Sequence, residues 1–511
     1  MNETKTIRKV ITASSLGTMI EWYDFYIFGM LAKTISIQFF PEGNATAALL
    51  STLAIFAAGF IVRPFGALVF GRLGDLIGRK YTFLLTLVLM GGSTFLIGLV
   101  PGYQSIGIAA PLLVLLLRLV QGLALGGEYG GAATYVAEHA PVNRRGYFTS
   151  WIQTTATLGL FVALGVIMLV KLNMSDASFN AEWGGWRYPF WVSIFLVLVS
   201  VYIRMKMHES PIFAKLKSEG KTSANPLRES FRHKGNFKMV LLALFGAVMG
   251  QGVIWYTGQF YAQSFLETKC NLDFEQSRTI MLWAIAMATP FFLFFGWLSD
   301  KIGRKWIMLI GMALGVITFR PIFTTFLDGT DIKQWGNIEN LQPVADTSFK
   351  TIKEVDYREV KLTYTFENGS RYTQFMQDTV RNVQKDSLSI QEFALDSKPK
   401  TINKHLSSGT YWKFVWLVFL MILYVTMVYG PVAAFLVEIF PTKIRYTSMS
   451  LPYHIGNGVF GGLVPFIGLL LTSTFTTDPL VGLWYPIGVA ALCFVIGAIY
   501  LSNKIDEDVM D

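Results

Sequence analysis

Gly71-Arg72-Leu73-Gly74-Asp75-Leu76-Ile77-Gly78-Arg79-Lys80 is echoed 225 residues later by Gly296-Trp297-Leu298-Ser299-Asp300-Lys301-Ile302-Gly303-Arg304-Lys305, each copy lying between two apolar runs. The offset is close to half of the 511 residues. A repeat on that scale marks a duplicated half rather than a solenoid unit, and duplicated membrane halves are how many transporters build a site between two bundles.

Hydrophobic residues make up 52% of the chain and charged residues 15%, too apolar a balance for a water-soluble protein of this length. Apolar runs of about 20 residues predict helices near 10–39, 47–70, 81–100, 110–136, 148–170 and 188–205. A second set follows near 239–266, 280–298, 306–326, 412–440, 448–471 and 480–501. The expected fold class is an all-α integral membrane protein with twelve transmembrane helices in two six-helix bundles, 1–208 and 239–511, joined by a polar, basic linker at 209–238.

Glu21 and Asp24 interrupt the first run, so it does not read as a cleaved signal peptide. Lys and Arg gather on one side: Lys5, Arg8 and Lys9; Arg79 and Lys80; Arg144 and Arg145; the linker; Arg304 and Lys305; Lys443 and Arg445. By the positive-inside rule both termini are cytoplasmic. The net charge of +9 is then topological, and no nucleic-acid partner is expected. Cys270 and Cys493 do not suggest a disulfide framework.

Residues 327–410 interrupt the second half between its third helix, which completes residues 239–326, and the helices of 411–511, on what this topology makes the periplasmic face. Val360, Leu362, Tyr364 and Phe366 alternate with polar residues, Glu367-Asn368-Gly369-Ser370 offers a turn, and Arg371-Tyr372-Thr373-Gln374-Phe375 resumes. A β-hairpin is expected there. It reads either as a lid or partner-docking module or as a tolerated loop insertion.

In the repeat, glycines permit close helix approach, and Gly78 and Gly303 suit a tight turn. Asp75 and Arg79 stand four apart, as do Asp300 and Arg304, so each pair can meet, or each Asp can face the N-terminus of a neighbouring helix. Either contact latches one half to the other. The duplicated pattern resembles the loop signature of the major facilitator superfamily.

Further phrases narrow the resemblance to its metabolite:proton symporters, which carry proline and betaine, 2-oxoglutarate, citrate and shikimate. They are Glu21-Trp22-Tyr23-Asp24-Phe25-Tyr26, Arg63-Pro64-Phe65-Gly66, Arg118-Leu119-Val120-Gln121-Gly122, Gly126-Gly127-Glu128-Tyr129-Gly130-Gly131 and Glu438-Ile439-Phe440-Pro441-Thr442-Lys443-Ile444-Arg445. The resemblance implies the major facilitator fold, uptake driven by the proton gradient across a bacterial inner membrane, and no enzymatic activity. It also assigns Arg118 to proton coupling. The cytoplasmic gate is expected to comprise Gly71, Asp75, Arg79, Asp300, Arg304, Glu438 and Arg445.

Charged side chains at mid-bilayer cost about 2.5–3.5 kcal/mol, so Glu21, Asp24, Arg63, Arg118 and Glu128 must face a cavity or one another. Glu21 and Asp24 share a helical face, where neighbouring carboxylates raise the proton affinity of one, which suits proton coupling with Asp24 first. Arg63 and Arg118 keep their charge and bind carboxylates in bidentate fashion. Glu128 and Tyr129 read as cavity-lining residues or as a structural helix pair. In the seventh helix Gln251, Trp255, Tyr256, Gln259 and Gln263 form a polar-aromatic stripe that can bind substrate. His454 and Asn457 form a weaker polar pair.

No nucleotide-binding loop and no metal-ligand spacing occur, so no cofactor and no metal are expected. The fifth helix, 149–170, contains no proline, which favours symport over the drug antiporters. The expected function is proton-coupled symport of a small carboxylate or zwitterion by a monomer in the lipid bilayer. Proton-coupled efflux, or a non-transporting sensor or assembly role for the insertion, are the alternatives.

Overall fold

A computed structural model of the chain describes residues 15, 18–41, 43–77, 79–127, 129, 133, 136–137, 140–205, 232, 234–352, 355–385, 388–394, 401–440 and 445–503. It comprises two compact units. The first takes in Met1–Tyr261, Leu282–Arg320 and Phe419–Asp511, the second Ala262–Met281 and Pro321–Val418.

Helices of the first half are α1 (18–30), α2 (Ala32–Phe39), α3 (Ala45–Ile61), α4 (Arg63–Ile77), α5 (Arg79–Ile97), α6 (Ala109–Gly126), α7 (Arg145–Leu172) and α8 (Tyr188–Met205). Those of the second are α9 (Lys234–Thr268), α10 (Phe274–Ile302), α11 (Lys305–Gly329), α12 (Ser408–Ile439), α13 (Thr447–Thr474) and α14 (Val481–Tyr500). Nine spans among the described residues are long and apolar enough to cross a membrane. The other three expected positions hold α1 with α2 and the shorter apolar segments Leu84–Ile97 and Gly185–Val199.

The repeat is more helical than a loop signature suggests. Gly71–Ile77 completes α4 and Gly296–Ile302 completes α10, because the apolar residues between the charges let the helical hydrogen bonds run on. In the second copy the turn is confined to Gly303 and Arg304, and the Gly303 φ of +93° is a left-handed value that a side chain resists. Lys305 then donates to the carbonyls of Ala498 at 2.8 Å and Leu501 at 2.7 Å, capping α14. Most of the 209–238 linker lies outside the described residues.

Regularity fails in α9 and α13. π-helical turns occupy Leu244–Val248, Thr257–Tyr261 and Ile455–Gly461, a form that is rare and frequently found at functional sites.

The second unit carries a five-stranded antiparallel sheet: β1 (Val344–Ile352), β2 (Val355–Thr365), β3 (Arg371–Lys385), β4 (Leu388–Ala394) and β5 (Thr401–His405). Its order is β1-β2-β3-β4, with β5 pairing the start of β3. The expected hairpin is β2 and β3, closed at Thr365↔Arg371. Phe366 donates to the Ser370 carbonyl at 2.9 Å and Gly369 turns with φ +84°.

Candidate functional site

The first unit gathers most of the anticipated residues in its interior. Arg63 opens α4 and Arg118 lies midway along α6; both are fully buried. Glycines set their separation: a Cβ on Gly122 would sit 1.8 Å from the Gly59 carbonyl, and one on Gly126 2.1 Å from the Arg63 carbonyl. Backbone contact between α6 and the α3–α4 segment is thus possible only without side chains there.

The guanidinium carbons lie 4.4 Å (Arg63) and 3.6 Å (Arg118) from the centre of one ring, that of Phe25. Arg63 also covers Phe60 at 4.0 Å. Arg118 Nη1 donates to the Phe25 carbonyl at 3.1 Å and to Gln121 Oε1 at 2.9 Å, and Gln121 in turn donates to Thr94 at 2.6 Å. On both arginines Nε and Nη2 make no hydrogen bond among the described residues, and neither arginine forms an ion pair there. Two buried cations share one ring. Aromatic faces offset part of the desolvation cost, but buried N–H groups still require acceptors.

Trp255 faces the same cluster. The Trp255 ring is 5.3 Å from Tyr26 and 6.4 Å from Trp22, bringing α9 against α1. Its Nε1, and both amide atoms of Gln259 in the π-helical turn, make no hydrogen bond among the described residues. Tyr256 stands edge-on to Phe60 at 5.0 Å, with its hydroxyl on Arg63.

Glu21 and Asp24 are both buried on α1. Asp24 turns toward α5 and α8: a Cβ built on Gly91 lies 3.2 Å from its Oδ2, and Ser193, the hydroxyl beside it, donates to the Gly91 carbonyl at 3.2 Å.

Three readings change in the structure. Gln251 is not available to a ligand, because it exchanges hydrogen bonds with Asn457 at 3.1 and 2.8 Å. Asn457 consequently does not pair with His454, whose ring lies edge-on to Tyr453. Gln263 leaves the stripe: the π-helical turn shifts the register, and it donates to Glu267 and Ser277 in the second unit. Tyr129, read as cavity-lining or structural, is buried with its ring stacked on Tyr453 at 3.5 Å and 4°, and it accepts from Gln153. Tyr453 is held by Tyr429 at 2.7 Å. Gln153, Tyr429 and Tyr453 gave no signal in the sequence, since an isolated polar residue in an apolar helix does not announce its partner. Glu128 lies outside the described residues.

In the second copy of the repeat Asp300 makes both of the contacts open to it. Its Oδ1 and Oδ2 accept from the backbone N–H groups of Gly146 (2.8 Å) and Tyr147 (2.9 Å) at the start of α7, and Arg304 meets Oδ1 at 2.7 Å. Arg304 also grips Glu438 of α12 through Nη2 at 3.0 Å and Nε at 3.3 Å. A Cβ on Gly146 would lie 2.5 Å from the Gly296 carbonyl, so the two glycines let α7 touch α10. Gly71 is placed only as part of α4, and the side chains of Asp75, Arg79 and Arg445 lie outside the described residues.

This frame of two bundles matches solved structures. The xylose transporter XylE from E. coli superposes with a TM-score of 0.63 at 16% identity, covering 98% of each chain. A family model described as sugar (and other) transporter matches residues 9–229. The inner membrane metabolite transport protein YhjE of Escherichia coli (strain K12) is 31% identical over 472 residues, 91% of this chain and 88% of that protein. The chain belongs to the major facilitator superfamily.

Other relatives of this major facilitator protein are the proline/betaine transporter of Escherichia coli (strain K12), 34% identical over 62% of this chain and 64% of that protein, and the alpha-ketoglutarate permease of the same organism, 36% identical over 61% and 71%. The protein is a multi-pass transporter of the inner membrane that moves a small molecule, not an enzyme.

Proposed function

We propose that this transporter takes up a small carboxylate or zwitterion in symport with protons, as a monomer and without a cofactor. One observation carries the reading: two buried guanidinium groups share the Phe25 ring, with N–H groups that no described residue accepts. A carboxylate supplies four acceptor positions and the opposing charge, and it fits a bidentate fork. Trp255 Nε1 and the Gln259 amide supply orientation, and the aromatic faces of Trp22, Tyr26 and Trp255 accommodate an ammonium in a zwitterionic substrate.

Arginine does not deprotonate, so the proton rides on a carboxylate, with Asp24 favoured and Glu21 second. Loading closes the bundles over the site. Release follows separation of α7 from α10 and α12 at the Asp300 latch and parting of Tyr129 from Tyr453.

Proteoliposomes with an imposed inward proton gradient test this reading against a panel of labelled monocarboxylates, dicarboxylates, amino acids and betaines. Accumulation of at least one, abolished by a protonophore, is expected. No accumulation across the panel sinks the carboxylate reading, and accumulation only under the opposite gradient replaces uptake with efflux.

A further inference from the structure

Away from the arginines, the second unit ties the α9–α10 turn to the sheet through one compact joint. Strand β5 pairs with β3 on one side, where His405 lies opposite Arg371. On its other side the Lys404 N–H donates to the Asn271 carbonyl at 2.8 Å, and the Asp273 N–H donates to the Lys404 carbonyl at 2.8 Å. Asn271 takes φ +52° to present that carbonyl. The Lys404 ammonium is itself held by the Thr330 carbonyl at 2.6 Å.

Gln276, in the first turn of α10, closes the joint. Its Oε1 accepts from the Leu406 N–H at 2.7 Å, while Nε2 donates to the Leu406 carbonyl at 3.1 Å and faces His405 Nδ1 at 3.2 Å. A backbone N–H only donates, so the Leu406 bond fixes which end of the amide is oxygen. Nε2 then carries hydrogens, and His405 Nδ1 must offer a lone pair. The joint as built requires a neutral imidazole with its proton on Nε2. An imidazolium would set one N–H against another.

We propose that His405 is a pH-sensitive pin: protonating it releases β5 from the α9–α10 turn. The charged groups around it are Arg371 on β3, which opposes protonation, Asp273 on the turn, which favours it, and Lys404 beside it on β5. Burial, then Arg371, hold the imidazole below its ordinary value of 6.5. A depressed value means the neutral form is the one folding prefers. The joint is therefore fully held above about pH 6.5 and weakens as pH falls below it.

The test is hydrogen exchange of the full-length protein in lipid nanodiscs, following peptides spanning 269–277 and 401–408 at pH 7.5 and 5.5, normalised to an unstructured reference peptide. Protection is expected to fall about tenfold at the lower pH, the scale of one ordinary hydrogen bond. His405→Asn keeps an acceptor near the Nδ1 position without titrating and should remove the pH dependence. Gln276→Glu places a carboxylate against the imidazole and should reverse its sign. Equal wild-type protection at both pH values, or an unchanged loss in His405→Asn, overturns the proposal even if Gln276→Glu does not fold.

Discussion

Asp300→Asn tests the latch most directly. The wild-type carboxylate accepts two backbone N–H groups at the N-terminus of α7 and faces Arg304 at 2.7 Å, with both side chains about 95% buried. The amide keeps one acceptor oxygen but loses the charge. A hydrogen bond to a charged group contributes about 1.5–3 kcal/mol against about 0.5–1.5 for a neutral one, and a negative charge at a helix N-terminus adds up to about 2 kcal/mol when partly buried. Arg304 retains Glu438, which limits the damage. The closed latch should lose about 3 kcal/mol, roughly a hundredfold in the open-to-closed ratio. Ser150→Cys reports that ratio, because Ser150 is buried against Gly296 and the native Cys270 and Cys493 are buried too. Maleimide should label Cys at position 150 about a hundredfold faster in the Asp300→Asn background. Labelling rates within twofold of one another refute the latch, and equal acceleration at Cys493 shows general loosening instead.

Three further outcomes follow from the interior. Arg118→Lys keeps the charge but loses the fork bonded to the Phe25 carbonyl and Gln121, so carboxylate uptake should drop at least about tenfold with the thermal midpoint little changed; full uptake would remove Arg118 from the site. Asp24→Asn should abolish gradient-driven accumulation yet leave substrate counterflow, whereas loss of both would make Asp24 structural or substrate-binding. Gln251→Leu strands the buried Asn457 amide and should cost about 1–3 kcal/mol of stability, while Gln259→Leu should weaken substrate affinity and leave stability unchanged; the reverse pattern would exchange their roles.

What the sequence revealed and what it hid divide along one physical line. Nine of the helix spans, the β2–β3 hairpin and the Asp300–Arg304 pair depend on periodicities and spacings within a few residues, and each is close to where the residues predicted it. The partner of a polar side chain inside a bundle is set by packing across it. Gln251 meets Asn457 from 206 residues away, which made it look like a ligand of the substrate, and the Tyr129 ring meets one 324 residues on. The π-helical turn at Thr257–Tyr261 adds a second cause, since it changes the face on which Gln263 emerges and so ends a stripe that a regular helix would continue.

Under the proposed symport, proton and substrate are linked through a single peptide unit. Asp24 and Phe25 are adjacent on α1; the first points toward Gly91 and Ser193, while the carbonyl of the second accepts from Arg118 and its ring lies under both guanidinium groups. Two cations on one ring repel each other, so an anion between them lowers the energy of the loaded site by more than its own hydrogen bonds. Protonating Asp24 removes a negative charge from the same helix and leaves the guanidinium pair more dependent on substrate for neutralisation. The two events should therefore favour each other, with a coupling that is equal in both directions. Substrate affinity should rise as external pH falls, and substrate should raise the proton affinity of Asp24. Asp24→Asn, permanently neutral, should bind substrate with the same affinity at every pH. A pH-dependent affinity surviving in that variant would place the proton on Glu21 instead.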